Sequence, residues 1–273
     1  DEIFMGYEQY RLMNAVKSYS DNIPNVINKH IVANSLKLFP KESAFIKLSQ
    51  LIEDVDEPQN RYYQLTSIFN DKEKQDLLLS SAQEKIKDLH DDYKQLNPYF
   101  NEHIHHLDSV MQFELKNWLV CDILTRSDRM TMAHSMEGRV PFMDHKLVET
   151  AFNIHPSLKL KARNEKLVLK EALRKYLPKQ IIQRKKQRFF TPIDHWFGSE
   201  FKELSKQTLQ ESKFLNSFCK KGYLDKLLNY HDNLSYKVFL KRHKLTRQYY
   251  ARQIWSLLVL DQWNDIFVNG KKV

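Results

Sequence analysis

The segment from Ser127 to Asp144 places charged side chains among apolar ones. Within eighteen positions it holds three acidic and two basic residues: Asp128, Arg129, Glu137, Arg139 and Asp144. A solvated face would not need the interleaved methionine, valine and phenylalanine residues, and charges in a core must be paired. The pattern therefore predicts a partly buried turn whose charges pair with one another and shape a cleft. For each of the five, direct contact with a substrate is the alternative to this structural role.

A basic run, Arg184 to Arg188, is the next candidate for chemistry. The ammonium group of its central residue, Lys186, is a mobile point charge that could follow a leaving anion. An ordinary solvated run of basic residues has the same composition, and on these residues alone that interpretation is the simpler one.

A third cluster, Glu102-His103-Ile104-His105-His106, has metal-ligating residue types. Its spacing is not the i, i+4 histidine pair with which a helix binds zinc, and no cysteine pair lies nearby. We therefore do not assign it a metal site.

The segment Asp128–Asp144 resembles a signature of the asparagine synthetase family, Asp-Arg-x-[Ser/Thr]-Met-Ala-x-x-x-Glu-x-Arg-x-Pro-[Phe/Tyr]-[Leu/Met]-Asp, at every fixed position. Three further segments resemble the family in the same order. Residues 1–7 resemble Asp-Glu-Leu-Phe-Gly-Gly-Tyr, residues 166–173 resemble its Lys-x-x-Leu-Arg-x-Ala helix, and residues 184–189 resemble Arg-x-Lys-Gln-Gly-Phe. The resemblance covers roughly residues 1–200 and belongs to the ATP-dependent synthetase domain.

The resemblance implies a ligase that uses ATP and Mg²⁺ to adenylate the side-chain carboxylate of aspartate or a related acid. Ammonia from a glutaminase domain then displaces AMP. By the same resemblance, Lys186 is the catalytic lysine that contacts the ATP phosphates, and Asp1 is a carboxylate associated with Mg²⁺ through pyrophosphate. A helix start is the other explanation for Asp1, because an acidic residue suits that position. Lys166 lies near the cleft or in solvent at the start of a helix.

Two departures from the family pattern and one absence bear on activity. Met5 and Arg188 each replace a family glycine, and the chain contains no Ser-Gly-Gly-x-Asp-Ser loop, whose backbone N–H groups would cradle phosphate. We therefore expect the 273-residue chain alone to be inactive and to be a fragment of a longer enzyme. The alternative is a catalytically inactive, basic helical binding module derived from the same family.

Helical periodicity dominates the elements that must position these residues. Apolar residues recur at three- and four-residue steps over residues 107–119, 166–176 and 246–267, and a shorter stripe covers 147–152. Residues 71–89 indicate another helix, and only Ser157–Lys161 alternates as a short strand would. We expect a mainly α fold, the helical C-terminal portion of an α/β adenine-nucleotide (PP-loop) synthetase domain. Its parallel sheet would be largely absent from this chain. The expected division is a synthetase-like part, 1–200, and a helical extension, 201–273.

Composition limits the remaining classes. The net charge of +9 comes from scattered lysines, which favour a solvated surface over a nucleic-acid site. Two cysteines imply no disulfide framework and suggest a reducing cytoplasm. No apolar run approaches the roughly 18 residues of a membrane span. Oligomerisation is left open.

Overall fold

The computed structural model describes residues 1–20, 57–87, 96–101, 103–162, 164–184, 186, 191–235 and 241–271. Within these ranges the backbone is mainly helical, and its extended pairings are two isolated bridges, Leu78–Cys219 and Lys161–Asn164. The prediction of a mainly α chain is thus confirmed for the described residues. None of the described helices combines the length and apolar character that crossing a lipid bilayer requires.

The α-helices are, in chain order, α1 (Glu8–Ser20), α2 (Pro58–Thr66), α3 (Asp71–Leu77), α4 (Ser80–Lys87), α5 (His106–Phe113), α6 (Thr125–Met132), α7 (His145–Phe152), α8 (Pro156–Lys159), α9 (Leu167–Leu173), α10 (Lys179–Gln183), α11 (Ile193–Trp196), α12 (Lys202–Glu211), α13 (Lys213–Phe218), α14 (Lys221–Ser235) and α15 (Lys241–Trp263). Two π-helical segments, Glu114–Leu124 and Asn264–Val268, and a 3₁₀ turn, Pro141–Met143, complete the set. The described residues fall into two compact units, one from 1–20, 57–66 and 96–186, the other from 67–87 and 191–271.

The first unit has its core where α1, α2 and α5 pack together. Met5, Tyr10, Met13, Leu107 and Met111 are among the buried side chains of this cluster. α1 directly follows the turn formed by residues 1–6, and Met5 of that turn belongs to this buried cluster. The core therefore holds the turn in place.

The helix predicted over residues 107–119 forms, but it changes type partway. Leu107, Val110 and Met111 of α5 are buried as the periodicity predicts. The π-helical segment that continues α5 has i→i+5 hydrogen bonds, so residues no longer share a face at three- and four-residue steps. Trp118, which that periodicity places inward, is consequently 49% exposed.

In the second unit, α14 and α15 form the centre of the core. Ala251, Ile254 and Leu257 of α15 are buried there, whereas Trp255 and Trp263, which the periodicity places on the same inward face, are about half exposed. The helical region ends at Asn269-Gly270, with Gly270 at a φ of 68°, the left-handed conformation that suits a residue after a helix.

Two local predictions need correction. Residues 157–161 are not a strand, because Pro156 occupies the first position of α8 and the His155 side chain caps it, so a helical turn forms. The helix predicted over residues 71–89 is divided into α3 and α4 by extended backbone at Leu78, and its last two residues lie outside the described ranges.

Candidate functional site

The candidate site is built on the turn formed by residues 1–6, which directly precedes α1. The Gly6 amide donates to the Asp1 carbonyl at 2.7 Å and closes the turn. Ile3, Phe4 and Met5 are buried, which anchors the turn through apolar contacts. The Asp1 side chain, by contrast, keeps 24% of its surface exposed and can interact with other charged groups.

Gly6 is required by the close approach of two side chains. A Cβ atom at this position would lie 2.2 Å from Asp1 Oδ1 and 2.2 Å from Lys166 Cε. Such distances do not occur for real Cβ atoms, so a larger residue would displace one or both charged groups. The glycine therefore allows Asp1 and Lys166 to meet over the backbone of the turn.

Met5 stands where the family segment has its first glycine, and its φ of 52° lies in the left-handed region. Glycine adopts this conformation without a penalty, whereas another residue loses about 1–2 kcal/mol. The Met5 side chain is completely buried and packs in the core cluster around Tyr10 and Met13. Burial of such a side chain contributes about 1.5–3 kcal/mol, which offsets the backbone cost. The departure from glycine is thus compatible with the turn.

Lys186, the last described residue of the first unit, contacts the same turn. Its ammonium nitrogen donates to Asp1 Oδ2 at 2.8 Å and to the Gly6 carbonyl at 2.9 Å. It also lies 4.3 Å from the centre of the Tyr7 ring, within the range of a cation–π contact. The predicted convergence of Asp1 and Lys186 is therefore present in the structure, although 185 positions separate them in sequence.

Lys166 completes the cluster from the opposite side of the carboxylate. Its Nζ pairs with Asp1 Oδ1, while Lys186 takes Oδ2. Lys166 itself has a φ of 57° and forms the N-terminal boundary of α9. Of the two interpretations open for this residue, the structure supports a place beside Asp1.

The two lysines titrate differently from lysines in water. Burial lowers the pKa of Lys186, and the neighbouring Lys166 charge lowers it further. Burial likewise lowers the pKa of Lys166. The charges of Glu165 and Glu2 act on both lysines in the direction opposite to burial. Two ammonium groups on one carboxylate suit contact with an anionic ligand.

Tyr7 lies between this cluster and an acidic neighbour. Its hydroxyl donates to Glu2 Oε1 at 2.6 Å, while its ring faces Lys186. Burial raises the pKa of Tyr7, and the hydrogen bond to Glu2 adds to the effect. Tyr7 consequently stays protonated and holds its ring in one orientation beneath the ammonium group.

The charged segment 127–144 is not the partly buried turn that its composition predicts. Arg139 and Glu137 form an ion pair of 2.9 Å, but their side chains are 82% and 65% exposed. Asp128 and Arg129 are exposed on α6, and Asp144 caps α7 by accepting from the Lys146 amide at 2.9 Å. In the described part of the chain nothing covers these residues, so neither mutual burial nor a closed cleft forms.

The end of this segment nevertheless adjoins the turn. Phe142 packs edge-on against Phe4, with ring centroids 6.4 Å apart, and Met143 packs on the cluster of Ile3, Phe4 and Ala151. Apolar contact therefore links the signature segment to the residues beside Asp1. Among the described residues, none of the five predicted cleft charges contacts Asp1, Lys166 or Lys186 through a hydrogen bond or ion pair.

The site offers cations for the phosphates of ATP but few ligands for Mg²⁺. Two ammonium groups beside an accessible carboxylate fit the phosphates of a nucleotide. The described residues contain no group of three or more histidine, cysteine or acidic side chains able to hold a metal ion, and both oxygens of Asp1 are engaged by lysines. The described residues therefore do not by themselves build a Mg²⁺ site, and the metal role predicted for Asp1 stays a prediction.

Sequence reasoning missed three contributors to the site. Gly6 was noted only as part of a motif, and Tyr7 and Glu114 were not singled out. The glycine in the motif is a sequence signal for close packing. The place of Glu114, by contrast, is set by contacts with residues about 100 positions away in the chain, which no local pattern records. Arg188, the second departure from the family glycines, lies outside the described residues.

Comparison with known proteins adds independent information. The chain is 30% identical over 278 aligned positions to asparagine synthetase [glutamine-hydrolyzing] 1 of Bacillus subtilis, covering 99% of this chain and 40% of the relative. It is 29% identical over 165 positions to a putative asparagine synthetase of Mycobacterium tuberculosis, covering 60% of this chain and 23% of the relative. A third relative, asparagine synthetase 3 of B. subtilis, is 46% identical over 69 positions, 25% of this chain and 11% of its own length.

The chain thus spans less than half the length of these curated relatives. No solved structure matches it significantly. The family profile described as asparagine synthase matches residues 1–265, well beyond the point near residue 200 where the motifs end. On the strength of that match, together with the converging Asp1 and Lys186, this chain belongs to the asparagine synthase family.

Proposed function

We propose that the cluster of Asp1, Lys166 and Lys186 is the phosphate-facing part of the active site of an ATP-dependent ligase that makes asparagine. Family membership supports an amide-forming ligase of this kind. The observation that carries the proposal is the convergence of Lys186 on Asp1 and Gly6. A surface lysine of an ordinary basic run would have no reason to meet that turn.

In the proposed reaction, a side-chain carboxylate oxygen of aspartate attacks the α-phosphorus of ATP. The bond between that phosphorus and the bridging oxygen to the β-phosphorus breaks, and pyrophosphate leaves with the bonding electrons. Ammonia then attacks the carbonyl carbon of the aspartyl-adenylate, AMP leaves, and one proton is lost to give asparagine. Adenylate formation is the step in which this chain's lysines would act, because negative charge accumulates on the departing pyrophosphate.

Each residue has a distinct part in this proposal. Lys186 stabilises the developing charge, and Lys166 supplies a second cation on the other side of the shared carboxylate. Asp1 holds both lysines in place and is the carboxylate that would face Mg²⁺ bound to the phosphates. The exposed residues Asp128, Arg129, Glu137, Arg139 and Asp144 remain proposed shapers of the substrate cleft.

The remaining parts of the system belong to the same proposal. They are a PP-loop sheet that contributes the phosphate loop, a glutaminase domain that delivers ammonia, aspartate as the acceptor, and a cytoplasmic setting. The sheet, the glutaminase domain and aspartate would supply the phosphate loop, the ammonia and the acceptor that the described residues do not provide.

The test is exchange of labelled pyrophosphate into ATP in the presence of aspartate, using the protein at its full genomic length. We expect Lys186→Ala to lower the exchange rate by several powers of ten without changing the thermal unfolding midpoint, because the ammonium group acts on charge that develops in the transition state. Lys175→Ala, at an exposed lysine of the same unit, is the matched control and should leave the rate unchanged.

Two results would contradict the proposal. One is wild-type protein that folds but exchanges no pyrophosphate with aspartate, as the alternative of an inactive binding module requires. The other is equal exchange by wild type and Lys186→Ala. The isolated 273-residue chain should release no pyrophosphate.

A further inference from the structure

Glu114 is a buried carboxylate for which the proposed reaction gives no role. It begins the π-helical segment, and its side chain has no exposed surface. Among the described residues no cation forms an ion pair with it; instead it accepts from three neutral donors. These are Gln9 Nε2 at 2.7 Å, the Tyr10 hydroxyl, and the Tyr62 hydroxyl at 3.3 Å.

Such an arrangement is costly. A buried carboxylate loses its hydration, and burial raises the pKa of Glu114 accordingly. A glutamine or an apolar residue of similar size would avoid most of this cost. The position therefore calls for a benefit that the charge and its three hydrogen bonds provide.

The donors show where that benefit acts. Gln9 and Tyr10 lie in the first turn of α1, immediately after Gly6 and Tyr7. The single proton of the Tyr10 hydroxyl is donated to Glu114, and the hydroxyl oxygen also lies 3.3 Å from the Glu2 carbonyl, so Tyr10 lies against the beginning of the turn. Glu114 thus holds residues that follow the turn and, through Tyr10, a residue near its start.

The same turn and Tyr7, the residue directly after it, provide the hydrogen bonds and the cation–π contact of Lys186 described above. Asp1 and the Gly6 carbonyl accept from its ammonium group, and the Tyr7 ring lies beneath it. A shift of the turn by a fraction of an ångström would move all three partners together. Misplacement of about 1 Å can lower a catalysed rate by about 100-fold. The hydrogen bonds of Glu114 to Gln9 and Tyr10, here called the clamp, are therefore a sensitive point.

We propose that Glu114 is a positioning residue: through Gln9 and Tyr10 its carboxylate fixes the turn of residues 1–6 and thereby the place of Lys186. The kinetic consequence rests on the proposed function, whereas the effect on the turn does not.

The test uses two variants. Glu114→Gln keeps the size of the side chain but loses one acceptor and the charge. Tyr10→Phe removes only the hydroxyl that donates to Glu114. Val16→Ala is the control, because Val16 is buried in α1 but lies in a separate apolar cluster beside Leu65. Amide hydrogen exchange of the peptide covering residues 1–10 is measured on the 273-residue chain. Pyrophosphate exchange is measured on the full-length protein, at a temperature where each variant is fully folded.

We expect faster amide exchange in residues 1–10 for Glu114→Gln and Tyr10→Phe, but not for Val16→Ala. In the kinetic experiment kcat should fall about 10- to 100-fold in Glu114→Gln, and less in Tyr10→Phe, while KM for ATP and aspartate stays within about twofold. A residue that merely supports the core would lower the unfolding midpoint without separating kcat from KM in the folded protein.

Unchanged protection of residues 1–10 in both clamp variants overturns the proposal. An equal loss of kcat in Val16→Ala overturns it as well, since the effect would then be general destabilisation. If Glu114→Gln does not fold, Tyr10→Phe decides by the same two measurements. Wild-type protein without pyrophosphate exchange would refute the proposed function, and the hydrogen-exchange experiment would still decide whether Glu114 fixes the turn.

Discussion

At the scale of single residues, the site depends on one carboxylate that serves two lysines. Asp1 has one oxygen for Lys166 and the other for Lys186, and both ammonium groups approach across Gly6. The lysines are held near each other despite their repulsion because the shared carboxylate lies between them. The absence of a side chain at Gly6 is as necessary to this geometry as the charges are.

Gly6→Ala should therefore disrupt the cluster. The new methyl group would lie 2.2 Å from Asp1 Oδ1 and from Lys166 Cε, so the side chains must move apart. We expect the free energy of unfolding to fall by about 1–3 kcal/mol, as for other overpacked sites, and adenylate formation to decrease. Urea unfolding and pyrophosphate exchange measure the two effects.

Gly222→Ala provides the control for that substitution. Gly222 lies in α14, and a Cβ atom there would meet nothing within 4 Å. Since alanine favours a helix over glycine, stability should be equal or slightly higher. Loss of stability in Gly222→Ala equal to that in Gly6→Ala would show that close packing at the turn is not the cause.

Arg139→Ala illustrates how exposure changes an expectation. If Arg139 were buried with its carboxylate partners, its removal would cost about 3 kcal/mol or more. The pair with Glu137 is largely solvent-exposed, and such pairs contribute about 0–1 kcal/mol. We therefore expect a change below about 1 kcal/mol in urea unfolding of the 273-residue chain. A larger loss would mean that Arg139 is buried in solution.

At the scale of elements, two helices of the first unit begin with a histidine cap. His105 Nδ1 accepts from the Leu107 amide at 3.2 Å, and His155 Nδ1 accepts from the Ser157 amide at 3.3 Å. The two rings lie 5.6 Å apart, and beside them the fully buried Lys159 ammonium lies 3.5 Å from Asp108. Only a ring nitrogen without a proton can accept, so both caps require it in that form.

The His105 cap predicts a loss of stability in acid. Burial lowers the pKa of His105 below its ordinary value, with the charges of His155 and Lys159 acting in the same direction and Asp108 opposing them. The unfolded chain therefore binds a proton more readily than the folded chain. The contribution of His105 is complete above about pH 6.5 and is lost as the pH falls below that value.

The measurement is the urea midpoint between pH 7.5 and pH 5. His105→Asn should flatten this dependence, because asparagine caps a helix without titrating in this range. His134→Asn, at an exposed position on the same unit, should leave it unchanged. A dependence that stays the same in His105→Asn would assign it to other groups.

At the scale of the whole molecule, the segment with the most specific sequence signal contributes none of the charged residues of the cluster around Asp1. The signature segment contributes exposed apolar side chains, including Met130, Met136 and Phe142, and exposed charges. Residue types predict that such a segment is covered, but they do not say by what. In a chain that spans 40% of the B. subtilis relative, the described residues do not supply that cover.

The sequence by itself determined the family and the mainly helical character, and it predicted roles for Asp1 and Lys186. These properties reside in residue types and short spacings, which a local pattern records. Only the tertiary structure decided that Lys166 shares the carboxylate of Asp1 and that Gly6 leaves room for it. The same holds for the hydrogen bond from Tyr10 to Glu114 and for the exposure of Arg139. The physical reason is that ion pairs, close packing and burial depend on which distant parts of the chain meet, and the free energy of those contacts is not a property of any one segment.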